Sequence, residues 1–180
     1  YQGYLRREIV GKKGGTGFQP VRLEGYIQQP HLLWERPELE VIKESDSLQV
    51  ARLPLYPNGP PEGIFIKRSF TSGPWETLKD VLRGPRSFRS WRSAYSLLAR
   101  GFQTPLPLGA ARRNLGTFAQ EDFFVTQEVH NVLGIDWFVL KEFGPQSRAE
   151  NRRKRKLAFV QHLSRMVRRL HTLGIYHPDL

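Results

Sequence analysis

The sequence predicts an α+β fold in which an antiparallel sheet carrying one helix is followed by a mainly helical segment. Three observations predict it. Short β-type runs separated by turn clusters occupy residues 39–67. An apolar stripe at helical spacing occupies 86–100, and a longer one, entered through a capping pattern, runs from 147 to 173.

The strands come first. Leu39, Val41 and Ile42 form a short run that ends in the turn cluster Glu44-Ser45-Asp46-Ser47. Leu48, Val50, Leu53 and Leu55 make a second, closed by Pro57-Asn58-Gly59-Pro60-Pro61-Glu62-Gly63. Ile64-Phe65-Ile66-Lys67 is the third, rich in β-branched and aromatic residues. Short connections make these an antiparallel meander. In the helix at Arg86–Arg100, Phe88, Trp91, Tyr95 and Leu98 share a face, and Gly101 is its stop. Thr104-Pro105-Leu106-Pro107 imposes extended backbone. Phe123-Phe124-Val125-Thr126 reads as a buried strand that runs into Gln127-Glu128-Val129, followed by a short helix at Ile135–Glu142. The last helix opens on the capping pair Ser147 and Glu150, buries Leu157, Val160, Leu163, Val167 and Leu170, and ends at Gly174. Before all of this, residues 1–38 read as a poorly ordered tail. Its run Gly11-Lys12-Lys13-Gly14-Gly15-Thr16-Gly17 lacks the order and the following helix of a phosphate-binding loop.

Composition narrows the function. The 180 residues hold 28 Lys or Arg against 17 Asp or Glu, a net charge of +11. Arginine dominates, 20 to 8, and arginine grips phosphate bidentately. An anionic partner is expected: nucleic acid, an anionic lipid surface or a phosphorylated substrate. The absence of cysteine excludes disulfides, thiolate zinc sites and thiol catalysis. No apolar run reaches the length of about 18 residues that a spanning helix needs. From Val81 to Gln120 there is no acid but seven arginines (Arg83, Arg86, Arg89, Arg92, Arg100, Arg112 and Arg113), and a second basic run spans Arg152–Lys156.

Four segments, in this order and spacing, resemble the lipopolysaccharide kinase (Kdo/WaaP) family of the protein-kinase-like superfamily. They are Ile64-Phe65-Ile66-Lys67-Arg68; Trp91 to Tyr95 continuing to Gly101-Phe102-Gln103-Thr104-Pro105-Leu106-Pro107-Leu108; Phe124 to Glu128; and Leu170 to Leu180, ending His177-Pro178-Asp179-Leu180. The resemblance implies a protein-kinase-like α+β fold. Residues 39–130 would be an antiparallel N-lobe and hinge, and 131–180 the first helices of an incomplete helical C-lobe. It also implies an ATP-dependent phosphotransferase acting on a sugar hydroxyl of the lipopolysaccharide inner core, a heptose or Kdo.

The site residues follow from that resemblance. Lys67 would bind the ATP phosphates, and Asp179 would accept the proton of the attacking hydroxyl, with His177 holding the catalytic loop. Glu128 and Val129 would meet the adenine edge through their backbone. The partners are ATP with Mg2+, the lipopolysaccharide core or another phosphorylated glycolipid, and an anionic membrane contacted peripherally. The place is the cytoplasm or the cytoplasmic face of the inner membrane.

Three features depart from the family pattern. The loop at Glu44–Ser47 has two acids and no glycine. No acid lies in the 86–100 helix to pair with Lys67, leaving Glu76, Asp80 or no partner. No metal ligand is assigned within the chain, so the Mg2+ ligands are expected beyond Leu180 and the chain is expected to be a fragment, inactive alone. The alternatives are a pseudokinase scaffold, or a basic module binding nucleic acid or membrane. Nucleic acid is the weaker partner, because no RNP, helix-turn-helix or zinc-finger pattern is present.

Overall fold

The computed structural model describes residues 2–5, 24–26, 28–56, 62–144 and 152–176. The glycine-rich run 11–17, the turn residues Pro57–Pro61, the capping pair Ser147 and Glu150, and His177–Leu180 lie outside them. Two compact units are present, Tyr1–Val129 and His130–Leu180.

The first unit is built on one antiparallel sheet of six strands: β1 (Gln2–Leu5), β2 (Glu40–Ser45), β3 (Leu48–Pro54), β4 (Gly63–Ser72), β5 (Pro107–Asn114) and β6 (Ala119–Gln127). Their order across the sheet is β1-β5-β6-β4-β3-β2. The expected meander is therefore β2–β3–β4, with β6 completing the other side of β4. Helices α1 (Pro74–Arg83) and α2 (Arg86–Ala99) link β4 to β5. The C-terminal stop of α2 is the one expected: Gly101 takes φ +74°, and the Phe102 amide donates to the Leu97 carbonyl at 3.0 Å.

Alternation along β4 divides the sheet into two faces. Ile64 and Ile66 point into the apolar core with Leu53, Leu108, Phe123 and Val125, and burying each of these large side chains contributes about 1.5–3 kcal/mol. Part of the segment expected to be a tail closes this core. Strand β1 pairs with β5, and the 3-10 turn Pro30–Leu33 brings Leu33 to 3 % exposure with Trp34 packed beside it. An apolar sheet face needs a cover, and this segment supplies it.

The opposite face carries Phe65, Lys67, Ser69 and Thr71, and the helices pack there on a polar foundation. Arg112 of β5 reaches Asp80 of α1 at 2.6 Å and Asp122 of β6 at 2.7 Å. Burial alone would lower the Arg112 pKa, but hydrogen bonds and charge from Asp122 and Asp80 outweigh it and raise the value. Thr71 donates to Asp80 at 3.4 Å. Asp122 accepts the backbone N–H of Arg86 at 3.0 Å and the Ser87 hydroxyl at 3.3 Å, so a strand residue caps α2.

The second unit holds α3 (Ile135–Phe143) and α4 (Arg152–Thr172). Phe138, Phe143 and Phe159 form a three-ring cluster between them. The stripe expected to be buried on α4 is corrected in part: among its described residues Leu170 is buried and Leu163 and Val167 are half-buried, but Leu157 and Val160 are exposed. Gly174 ends α4 as expected, at φ +70°.

Candidate active site

Lys67 sits near the middle of β4, opposite Val50 of β3 and Phe124 of β6. Its side chain is exposed and forms no ion pair among the described residues. Both acids considered as its partner are committed elsewhere. Glu76 holds Lys79 at 2.6 Å and Arg86 at 3.6 Å, and Asp80 holds Arg112. An exposed, unpaired ammonium between two apolar neighbours is a point charge available to an anion.

Glu44, at the β2–β3 turn, does not compete with that charge. Glu44 pairs with Gln49, and Gln49 with Arg68, which puts Glu44 on the sheet face away from Lys67. There it accepts the Gln49 amide at 2.6 Å.

On the Lys67 face, two residues along β3 from Val50, lies Arg52. The sequence reading did not single it out, although period-two alternation from Val50 assigns it to this face. Arg52 donates to Glu128 at 2.7 Å and approaches Glu40 at 3.7 Å. The Glu128 hydrogen bond is the main cause that raises the Arg52 pKa. Glu128 is thereby pinned just beyond β6. Its amide donates to the Gly63 carbonyl at 2.9 Å, and a Cβ on Gly63 would collide with Glu128 Oε2. The backbone N–H of Glu128, one of the two groups expected at an adenine edge, is thus already used. Its carbonyl and the amide of Val129 have no backbone hydrogen bond among the described residues.

The arginine-rich block 81–120 is less cationic than its sequence suggests. Arg86, Arg89, Arg112 and Arg113 pair with Glu76, Asp80, Asp122 and Glu121, acids that flank the block in sequence. Arg83 and Arg92 are exposed and form no ion pair among the described residues. Arg68 is likewise consumed: it pairs with the fully buried Glu121 and lies over the rings of Trp34, Phe70 and Phe123.

His177 and Asp179 fall outside the described residues. His171, expected to pack at the end of the last helix, stacks on Tyr176 with ring centroids 5.2 Å apart. Among the described residues no cluster of three or more His, Asp or Glu is arranged to hold a metal ion. No described helix is long and apolar enough to cross a membrane.

An antiparallel sheet with helices on one face, an exposed strand lysine on that face, and a pinned segment after the last strand fit a kinase-like N-terminal lobe. The particular family follows from comparison. The chain matches the model of the lipopolysaccharide kinase (Kdo/WaaP) family over residues 75–180, more than half its length, and belongs to that family. Membership carries the protein-kinase-like superfamily with it, and implies ATP, a divalent metal and a lipopolysaccharide substrate. Asp179 lies inside the matched span and Lys67 outside it. No curated protein and no solved structure matches the chain.

Proposed function

We propose that the chain is part of an ATP-dependent phosphotransferase acting on a sugar hydroxyl of the lipopolysaccharide inner core, a heptose or Kdo. Residues 39–130 serve as N-lobe and hinge, and 131–180 as the start of the helical lobe. The observation that carries this reading is the exposed, unpaired Lys67 on the helix-bearing face of the sheet in a chain of this family.

Each residue has a role in that reaction. Lys67 neutralises charge on the α- and β-phosphates of ATP. The carbonyl of Glu128 and the amide of Val129 take the adenine edge, and the Arg52–Glu128 pair fixes that backbone in place. Asp179 accepts the proton of the sugar hydroxyl as its oxygen bonds to the γ-phosphorus and the bond from that phosphorus to the bridging oxygen breaks, leaving ADP. His177 holds the loop that carries Asp179. Magnesium, when bound, would supply charge neutralisation at the phosphates, and none of the described residues is assigned to hold it. The place proposed for this reaction is the cytoplasm or the cytoplasmic face of the inner membrane, in peripheral contact with an anionic surface.

The test is nucleotide binding followed by transfer. Lys67→Ala removes a charge-assisted contact of about 1.5–3 kcal/mol and weakens ATP binding about tenfold to a hundredfold. Asp179→Ala leaves ATP binding intact and abolishes phosphate transfer to lipopolysaccharide. Wild-type transfer in both variants would reject these roles.

A further inference from the structure

Helix α1 is set in the protein with its polar side inward. Its buried residue is Asp80, at 5 % exposure, while Trp75, Leu78, Val81 and Leu82 are 68 %, 47 %, 74 % and 79 % exposed. At 100° per residue those four residues form one stripe opposite Asp80. The setting is held by the bond from Arg112 to Asp80 and by the Thr71 hydroxyl. Rolling the helix to bury the stripe would withdraw Asp80 from Arg112 and Thr71, leaving the largely buried guanidinium one carboxylate short, a penalty for a charged group. The apolar stripe is therefore presented outward by the same ion pair that anchors the helix.

The exposed surface continues beyond α1. The Gly73 amide donates to the Phe118 carbonyl at 2.9 Å, so the tip of the β5–β6 hairpin lies beside the first turn of the helix. That tip adds Leu115 and Phe118, 50 % and 51 % exposed. Lys79 and Arg83 border the helical stripe, and no acid occurs from Val81 to Gln120. Glu76 of the same helix holds Lys79 at 2.6 Å, so the cation of this border that forms no ion pair among the described residues is Arg83.

We infer that α1 and the β5–β6 hairpin tip form a membrane-docking surface that inserts its apolar side chains into an anionic bilayer. Trp75 lies at the interface, and Arg83 is level with the headgroups. An amphipathic helix with an aromatic residue on its apolar face and cations along the border has the composition of an interfacial helix. The cationic border selects the occupant. A second copy would bring only more of the same cationic surface to the interface, whereas anionic lipid supplies the charge opposite to Arg83. The inference deepens the glycolipid-kinase reading and rests on it for its purpose.

The test is co-sedimentation of the full chain with phosphatidylcholine vesicles, with and without phosphatidylglycerol, in the absence of lipopolysaccharide and ATP, so that it fails or holds separately from the kinase reading. Wild type should pellet with the phosphatidylglycerol vesicles and less with phosphatidylcholine alone. Val81→Glu and Leu82→Glu should each weaken this about tenfold at unchanged melting temperature, and Arg83→Glu should weaken it in a salt-dependent way. Either glutamate variant pelleting like wild type would overturn the inference, as would wild type remaining in the supernatant. A wild-type dimer that Leu82→Glu converts to monomer would assign the face to a second copy and overturn it too.

Discussion

Replacing Arg112 with alanine should remove a large share of the stability of the first unit. Arg112 is the cation between Asp80 and Asp122, whose side chains are 6 % and 2 % exposed. Without it Asp122 keeps the Arg86 amide and the Ser87 hydroxyl, but among the described residues Asp80 retains only Thr71 at 3.4 Å and the more distant Arg89 at 4.0 Å. Removing one partner from a buried ionic cluster costs about 3–5 kcal/mol, against a total of about 5–15 kcal/mol for a domain. For a unit of this size that loss lowers the melting temperature by about 10–20 °C. Thermal and urea unfolding followed by circular dichroism would measure it. Arg112→Lys keeps the charge but not the fork that reaches both carboxylates, and should fall between wild type and alanine. The triple variant Arg112→Met, Asp80→Asn, Asp122→Asn removes all three charges and should recover more than half of the loss. A cost below about 1 kcal/mol for the alanine variant, or no recovery in the triple variant, would refute the view that this cluster sets the helices on the sheet.

Other perturbations give distinct signatures. Gly63→Ala places a methyl group against Glu128 Oε2 and within 3.2 Å of the Leu53 carbonyl, and should cost about 1–3 kcal/mol, less in a Glu128→Ala background. By contrast Lys67→Ala, at an exposed position, should leave unfolding within about 0.5 kcal/mol of wild type, so that the loss of ATP binding proposed for it can be told apart from an effect on folding. Glu76 should titrate below ordinary glutamates in a carboxyl-detected NMR experiment, because Lys79 donates to it. Its depressed folded-state pKa means that its contribution is present above the unfolded value and is lost as the pH falls through the folded one. Lys79→Met should move it back up.

Much of the sheet was legible because local chemistry specified it. Glu44–Ser47 holds the β2–β3 turn, the run from Ile64 lies within β4, and Gly101 and Gly174 stop their helices with positive φ. Three elements were not legible. Strand β5 reads Pro-Leu-Gly-Ala-Ala-Arg-Arg-Asn, with little intrinsic β-propensity; its neighbours β1 and β6 make it a strand. Strand β1 lay in a segment without an alternating apolar pattern, and pairing to β5 defines it. Helix α1 hides its inward side, since its anchor Asp80 finds Arg112 only 32 residues later and its apolar residues face out. The placement of Lys67 in a strand was legible from the run that begins at Ile64. The Arg52–Glu128 pair, separated by 76 residues, was not, because ion pairs of that range leave no local pattern.

The cap of α2 has a consequence for the order of folding. The residue at the start of that helix is Pro85, whose side chain offers no cap, and the carboxylate that serves instead belongs to Asp122, 36 residues after the amide it accepts. Fourteen residues without a local cap make a marginal helix in water. As the chain leaves the ribosome, the β2–β3–β4 meander can close by neighbouring contacts alone, whereas α2 waits until β6 has emerged and paired with β5. The helix and the strand that leads to Glu128 thus become native in the same event.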